Sequence, residues 1–227
     1  MEEREQKITE HIAELRRRVT RISISLLVLF PIVFYFSSEL IKRFWQDLLS
    51  EEMFVYSPLE WILLRLVFSL IFSLILLYPY AIFELYLFAK PGLYESEIKF
   101  LKFIMIPSYF IFLLGSYVSY KFIVPFLYSF SYGNPFYSAE KTVLNAMKLS
   151  FALGILLQIP LAIFILDKLR IINYQTLKRL RLPLYLILVF FILNSPTDFG
   201  GLTQIAVLVS FFIIFELSIL IIGLSKR

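Results

Sequence analysis

Six apolar stretches, each bounded by polar or charged residues, constrain this chain of 227 residues more than any other feature. Hydrophobic residues make up 59% of the sequence, well above their share in an ordinary soluble domain. A transmembrane helix needs about 20 apolar residues, so six helices with short connections use nearly the whole length. The sequence therefore predicts an all-α polytopic membrane protein, with residues 1–227 forming a single six-helix domain. The predicted spans are 22–44, 60–88, 100–130, 143–166, 182–193 and 202–224.

The distribution of basic residues predicts the orientation of these spans. An even number of crossings puts both termini on one side of the bilayer. The N-terminal segment, the connections 89–102 and 167–181 and the C-terminal tail hold 16 of the 22 Lys and Arg residues. Cytoplasmic loops carry an excess of these residues, so we expect both termini in the cytoplasm and 45–59, 131–142 and 194–201 outside. The net charge of +5 then indicates orientation rather than a nucleic-acid surface.

Proline positions and span lengths predict the shape of the bundle. Pro107 and Pro125 in the third span and Pro160 in the fourth should bend their helices, because proline lacks the backbone donor. We expect a curved bundle. Only about twelve apolar residues, roughly 18 Å of helix, separate Arg181 from Asn194, whereas the hydrocarbon core is about 30 Å thick. We therefore expect the fifth and sixth helices to be short or thin-spanning.

Signatures of catalysis are missing from the sequence. The chain has no Cys, which excludes disulfides and thiolate metal sites. It contains no HExxH, GxSxG, P-loop or glycine-rich dinucleotide motif, and its one histidine, His11, has no cluster of ligands nearby in the sequence. We expect no catalytic residue, metal or cofactor.

Two polar segments on the predicted cytoplasmic side each contain a carboxylate. Glu14 lies in residues 11–18, and Glu97 lies in the connection after the second span. A carboxylate can accept two parallel hydrogen bonds from a guanidinium. Local pairs are the alternative: Glu14 with Arg17 or Arg18 on one helix, and Glu97 with lysines of its own loop.

Two polar residues fall near the predicted bilayer midplane. Gln158 and Glu216 each lie about 15 Å of helix from the cytoplasmic edge. A carboxylate at this depth costs about 2.5 kcal/mol or more, so Glu216 should face protein, water or a partner. Each of the two residues could either form structural bonds between helices or have a functional role, and the sequence favours neither.

These segments, in this order, resemble the TatC family, the polytopic core of the twin-arginine protein translocase. His11 to Arg18 is similar to the family pattern HLxELRxR, with Ile12 in place of Leu. The other matching positions are Ser57, Pro58, Leu59, Glu60, Phe88, Pro91, Leu93, Tyr94, Glu97, Phe151, Gly154, Gln158, Pro160, Ser195, Pro196, Thr197, Asp198, Gln204 and Glu216. Gln158 stands where the family commonly has a carboxylate, and Glu84 and Tyr86 replace the more usual Gln and Trp.

The resemblance implies a receptor in the cell membrane for signal peptides that carry consecutive arginines. Such a receptor acts with TatA-type single-span proteins, and with a TatB-type subunit where one exists, in a translocase complex that also contains further copies of the receptor. The complex exports folded proteins across the bilayer, driven by the proton-motive force. It involves no nucleic acid and no enzymatic step.

The resemblance also assigns roles to residues. Glu14 and Glu97 are expected to bind the signal arginines, and Arg17 to hold Glu14 or to position the loop. The surrounding surface is expected to come from Leu15, Phe88, Leu93 and Tyr94. Partner helices are expected to contact Gln158, Glu216, Ser195 and Gln204.

A second function class is open at this point: a small-molecule or ion transporter that uses Glu216 and Gln158 in a midplane site. A transporter would bind or move its solute without a partner protein. A translocase receptor would capture twin-arginine peptides in detergent and need TatA-type partners for transport.

Overall fold

A computed structural model describes residues 2–48, 53–129, 138–172, 174–193 and 202–225. Within these ranges the regular elements are helical, apart from one isolated β-bridge. The α-helices are α1 (Glu2–Leu48), α2 (Pro58–Ala89), α3 (Glu95–Val118), α4 (Val124–Ser129), α5 (Ala139–Leu156), α6 (Gln158–Lys168), α7 (Tyr174–Leu193) and α8 (Leu202–Ser225). The prediction of an all-α membrane protein is confirmed.

Four helical stretches in the described part of the chain are long and apolar enough to cross a membrane. They are Thr9–Leu48, Pro58–Gly92, Glu95–Leu127 and Ala139–Lys168. A shorter apolar helix, Gln204–Leu220, follows within α8. These elements cover the first, second and fourth predicted spans, the third as far as Leu127, and most of the sixth. The full count of six crossings, and the division of the chain into one domain, stay predictions.

The fifth predicted span differs from the observed helix. The expectation was a helix of about twelve residues over 182–193, whereas α7 contains 20 residues and begins at Tyr174. At 1.5 Å per residue it is about 30 Å long. Its first two turns carry basic residues, so apolarity alone underestimated the length of the helix. Only the apolar part of α7 is short.

The first two helices form a long pair. α1 contains 47 residues, about 70 Å of helix, and it therefore extends well beyond one bilayer thickness. Ile41 and Trp45 on α1 and Leu64 and Phe68 on α2 are at most 3% exposed. Each pair is spaced by four residues, which puts both members on one helix face, and these faces meet in a common apolar cluster.

A hydrogen-bonded junction joins the start of α2 to the start of α5. Ser57 caps α2 by accepting a bond from the Glu60 backbone. The buried Glu60 carboxylate accepts from the Tyr56 backbone at 2.7 Å and from the Ser138 hydroxyl at 2.5 Å. A β-bridge between Phe54 and Ser138 runs beside these bonds. The junction holds the ends of two predicted spans together on the side predicted to face out.

Two of the three predicted proline bends coincide with helix interruptions. A π-helical turn, Ser119–Ile123, separates α3 from α4 just before Pro125. α5 ends one residue before Leu157, and α6 contains Pro160. In a regular α-helix, Pro160 would have to donate a backbone bond to the last residue of α5, and proline has no such donor. Pro107, by contrast, lies inside an unbroken α3.

α8 is held by a stripe of large side chains. Phe211, Phe215 and Ile219 recur every four residues and are buried in a cluster with Leu177 of α7 and residues of α5 and α6. Glu216 follows Phe215 directly, so it lies about 100° around the helix from the buried stripe. The packing of α8 therefore directs Glu216 to the flank of the helix rather than into the core.

Candidate functional site

Both carboxylate-bearing segments lie at the same end of the bundle. Arg18 of α1 contacts Glu84 near the end of α2. One helical turn further along α2, the Phe88 ring packs edge-on against His11, with ring centroids 6.4 Å apart. The Lys90–Gly92 turn and the start of α3 follow immediately. The N-terminal motif and the loop motif are therefore neighbours.

At the centre of this end lies Glu84, a carboxylate for which the sequence pattern predicts no role. Glu84 is 3% exposed in its side chain. Its Oε2 accepts from Nη1 of Arg18 at 3.1 Å, and its Oε1 accepts from Nη1 of Arg21 at 3.1 Å and from the Tyr80 hydroxyl at 2.9 Å. A buried carboxylate is tolerated only when it is paired and hydrogen-bonded. Glu84 meets that requirement on both oxygens.

Glu14 is held by Arg18 rather than by Arg17. Nε of Arg18 donates to Glu14 Oε1 at 3.0 Å, and Nη2 of Arg18 donates to the same oxygen. The two residues are four positions apart, which is the favourable spacing for a carboxylate N-terminal to a cation. The side chain of Arg17 is exposed, and its expected role, to hold Glu14 or to position the loop, stays a prediction. Glu14 itself keeps 31% exposure.

Glu97 caps the start of α3. Its Oε2 accepts a hydrogen bond from the Tyr94 backbone at 2.9 Å. A glutamate at the third position of a helix commonly makes this bond, because the first backbone donors of a helix have no partner within it. The local alternative expected for Glu97, pairing with lysines of its loop, is replaced by a backbone contact. A bond to one oxygen leaves the carboxylate its negative charge.

The apolar residues expected around the carboxylates form an open surface. Leu15 and Ile12 on α1 are exposed, and Tyr94 at the start of α3 is 78% exposed. Phe88 and Leu93 are half-buried. Exposed apolar side chains beside charged ones are typical of surfaces that bind peptides.

An apolar groove opens between α2, α3 and α6 at this end of the bundle. Its volume is about 240 Å³. Ser108 lines the groove together with ten other residues, nine of them apolar and one a tyrosine. These ten are Ile82, Leu85, Tyr86, Ala89, Leu101, Ile104, Met105, Leu161, Ile165 and Leu169.

Gln158 is part of a polar chain across three helices. Its Oε1 accepts from the Ser108 hydroxyl at 2.8 Å, and its Nε2 donates to the Ser108 carbonyl at 3.2 Å. The Tyr78 hydroxyl lies 3.1 Å from the Ser108 hydroxyl. These bonds join α6, α3 and α2 beside the groove. Gln158 therefore makes the interhelical bonds that the sequence left as one of two alternatives.

Glu216 forms an ion pair with α7. Its Oε2 lies 2.8 Å from Nη2 of Arg181, and its Oε1 accepts from the Tyr185 hydroxyl at 2.5 Å. Both charged side chains are 38% exposed. The pair lies about 14 Å of helix from the C-terminal end of α8, and its depth in the bilayer stays a prediction. Gln158 and Glu216 have different partners on different helices.

Gln204 and Ser195 are the two remaining predicted partner contacts. Gln204 is in the first turn of this helix and is half-buried. Ser195 lies outside the described residues, so its predicted contact stays a prediction.

Glu84 was missed because its surroundings in the sequence are apolar. The available indication was spacing: Arg18 and Arg21 are three residues apart, and such residues are neighbours on a helix surface. Two guanidinium groups on one helix face can bind more than one carboxylate, and Glu14 is one of them. Tyr80 and Glu84 are likewise one helical turn apart. The packing of the helices, and not the spacing along the sequence, determines which helix supplies the second carboxylate.

Comparison with known proteins decides the family. The family model for the Sec-independent protein translocase protein TatC matches residues 10–209. The chain belongs to the TatC family. It is thus a multi-pass membrane component of the Sec-independent, twin-arginine translocase, a complex that contains other Tat subunits.

Relatives with this description cover almost the whole chain. The Methanocella arvoryzae protein is 29% identical over 96% of this chain and 93% of its own length. The Rickettsia prowazekii protein is 30% identical over 93% of this chain and 90% of its own. The Aquifex aeolicus protein is 25% identical over 97% of this chain and 96% of its own.

Solved structures show the same fold. A crystal structure of the twin arginine translocase receptor TatC superimposes with a TM-score of 0.82, at 24% identity, over 96% of this chain and all of the other. A second crystal structure, obtained in the detergent DDM, gives a TM-score of 0.80 at 24% identity over 93% of this chain. The helix arrangement of this chain is therefore that of TatC.

Proposed function

We propose that this TatC-family protein is the receptor that captures twin-arginine signal peptides at the cytoplasmic face of the cell membrane. Glu14 carries the proposal. Its carboxylate is one third exposed beside the apolar side chains of Leu15 and Ile12. A guanidinium matches a carboxylate in two parallel hydrogen bonds, and an apolar segment of the peptide matches the neighbouring surface.

Glu97 supplies the second carboxylate of the proposed receptor. It lies in the first turn of α3, directly after the loop that adjoins the N-terminal motif, and its bond to the Tyr94 backbone fixes its position. A fixed carboxylate loses little conformational entropy when it binds a cation. The half-buried Phe88 and Leu93 and the exposed Tyr94 complete the surface, with Arg17 at its edge.

The partner face is proposed to lie on α7 and α8. The Arg181–Glu216 pair is more than one third exposed, and at the membrane depth that we propose for it, a charged group facing lipid is costly. A TatA-type helix, or a TatB-type helix where one exists, would cover the pair and hydrogen-bond to it. The proposed complex exports folded proteins using the proton-motive force and contains further copies of this chain.

Peptide capture by the purified protein tests the receptor proposal. The wild type should bind a twin-arginine peptide more tightly than its twin-lysine counterpart, because an ammonium lacks the planar fork. Glu14→Ala and Glu97→Gln should each weaken capture by up to about fivefold, the range of a partly exposed ion pair. Glu97→Gln is chosen because an amide oxygen can still cap α3.

Two matched controls accompany this test. Glu10→Ala and Glu95→Ala each remove an exposed carboxylate from the same segments, and both should bind the peptide as the wild type does. Equal binding of both peptides by the wild type, or undiminished binding by a folded Glu14→Ala/Glu97→Gln variant, would refute the receptor proposal.

Single cysteines test the proposed orientation, since the chain contains no native Cys. Ser96→Cys should react with an impermeant thiol reagent only after the cells are opened. Tyr56→Cys, at an exposed position in the segment expected outside, should react in intact cells. Labelling of Ser96→Cys in intact cells would reverse the orientation.

A further inference from the structure

Arg18 already binds the carboxylate that the proposed function assigns to a signal arginine. Its Nε and Nη2 both donate to Glu14 Oε1. A signal arginine at Glu14 would offer the same kind of guanidinium donors. The protein therefore carries its own arginine at the proposed binding group.

Arg18 also has a second carboxylate within reach. Its Nη1 lies 3.1 Å from Glu84 Oε2, so one guanidinium joins the two glutamates. Glu14 is the outer end of this arrangement at 31% exposure, and Glu84 is the inner end at 3%. Arg21 and Tyr80 hold the other oxygen of Glu84.

We propose that Arg18 is an intramolecular competitor for Glu14, and that Glu84 is the positioning residue that retains Arg18 when a signal arginine displaces it. The proposal rests on the proposed function and adds a regulatory step to the same site. In the free receptor Arg18 then occupies one oxygen of the arginine-binding carboxylate, and a ligand with suitable guanidinium donors has to displace it to use both oxygens.

The geometry keeps the free-energy cost of displacing Arg18 from Glu14 low. A guanidinium has five donors in a fixed fork, so Arg18 can give up its bonds to Glu14 and keep its bond to Glu84. The side chain of Arg18 is only 13% exposed, and without Glu84 a displaced Arg18 would be left without a carboxylate in a poorly solvated place. Because Glu14 is partly exposed, its bond to Arg18 contributes little free energy. A peptide can therefore compete with Arg18 for Glu14.

The affinities of four proteins for a twin-arginine peptide test the exchange: the wild type, Arg18→Gln, Glu84→Gln and the double variant. Arg18→Gln removes the competitor and should tighten capture by about two- to fivefold. Glu84→Gln leaves Arg18 with Glu14 as its carboxylate and should weaken capture by a similar factor. The double variant should bind like Arg18→Gln, because Glu84 acts through Arg18.

A charge-matched control separates competition from general electrostatics. Arg16→Gln removes one positive charge two residues from Arg18, and the side chain of Arg16 is exposed. Its effect on capture should be well below that of Arg18→Gln. Equal effects of the two variants would overturn the proposal, because bulk charge would then explain both.

Arg18→Lys keeps the charge and loses the fork, so its affinity should fall between those of the wild type and Arg18→Gln. If Arg18→Gln does not yield a monodisperse protein, Arg18→Lys tests whether Arg18 competes for Glu14. Capture by a folded Arg18→Gln or Arg18→Lys variant at or below the wild-type level would overturn the exchange and leave Arg18 as a support for Glu14. A wild type that does not prefer the twin-arginine peptide would instead refute the receptor proposal.

Discussion

Glu84 and Glu216 are both held by arginine and tyrosine, yet their surroundings differ. Glu84 receives arginines from α1 and a tyrosine from its own helix, and its side chain is 3% exposed. Glu216 receives both Arg181 and Tyr185 from α7 and is 38% exposed. Both carboxylates accept bonds from arginine and tyrosine, but Glu84 is buried inside the bundle and Glu216 is partly exposed at its side.

The difference in exposure suggests a difference in role. A carboxylate whose bonds are all made inside the protein positions its neighbours, and removing it takes one carboxylate partner from each cation that it holds. A charged pair that remains open at membrane depth is costly until something covers it. Glu84 is accordingly interpreted as a positioning group for α1, and Glu216 as part of a surface for another helix.

The largest expected contrast is in stability. Glu84→Leu should lower the free energy of unfolding by about 1.5–3 kcal/mol, the range for hydrogen bonds to charged groups, because Arg18 keeps Glu14 and Arg21 is partly exposed. Glu216→Leu should cost about 1 kcal/mol or less, because its pair is partly exposed. Thermal unfolding of the purified variants in one detergent measures both. Equal losses in the two variants would show that exposure does not separate the two sites.

A smaller effect on stability, combined with a loss of transport, is expected at membrane depth. Gln158→Leu should cost no more than about 1.7 kcal/mol, the upper range for hydrogen bonds between membrane helices, and Glu216→Leu should cost about 1 kcal/mol or less, as above. Peptide capture should be unchanged, while export and crosslinking to a TatA-type partner should fall.

Gln158→Glu is the matched control for this prediction, because it keeps the size and an acceptor for Ser108 while adding a charge. It should retain export. Wild-type export and crosslinking in both leucine variants would restrict Gln158 and Glu216 to dispensable structural bonds. Loss of the folded protein would instead assign them to holding the helices together.

The smallest contrast concerns single hydroxyl groups. Tyr80→Phe removes one bond to the buried Glu84 and should cost about 1–1.5 kcal/mol. Tyr185→Phe removes one bond to the open Glu216 and should cost about 0.6 kcal/mol, typical of bonds between membrane helices. Unfolding midpoints measured side by side provide the comparison. A larger loss for Tyr185→Phe would reverse the order of the two sites.

Sequence patterns were sufficient where a property depends on neighbours along the chain. Apolar runs located the first four spans, and Pro125 and Pro160 indicated the interruptions of the third and fourth. The spacing of Glu14 and Arg18 indicated their pair. The helix that contains the fifth predicted span begins before it, at Tyr174, because helices are stabilised by tertiary packing as well as by the composition of a segment.

Composition and the order of motifs by themselves determined that this chain is an α-helical membrane protein similar to TatC, because bilayer thickness and backbone hydrogen bonding allow few other solutions. Only the tertiary structure decided which residues of distant segments share a site. It brought Glu84 to Arg18 across 66 positions and Glu216 to Arg181 on a neighbouring helix. Such pairings depend on how helices pack and rotate, and no local spacing encodes them.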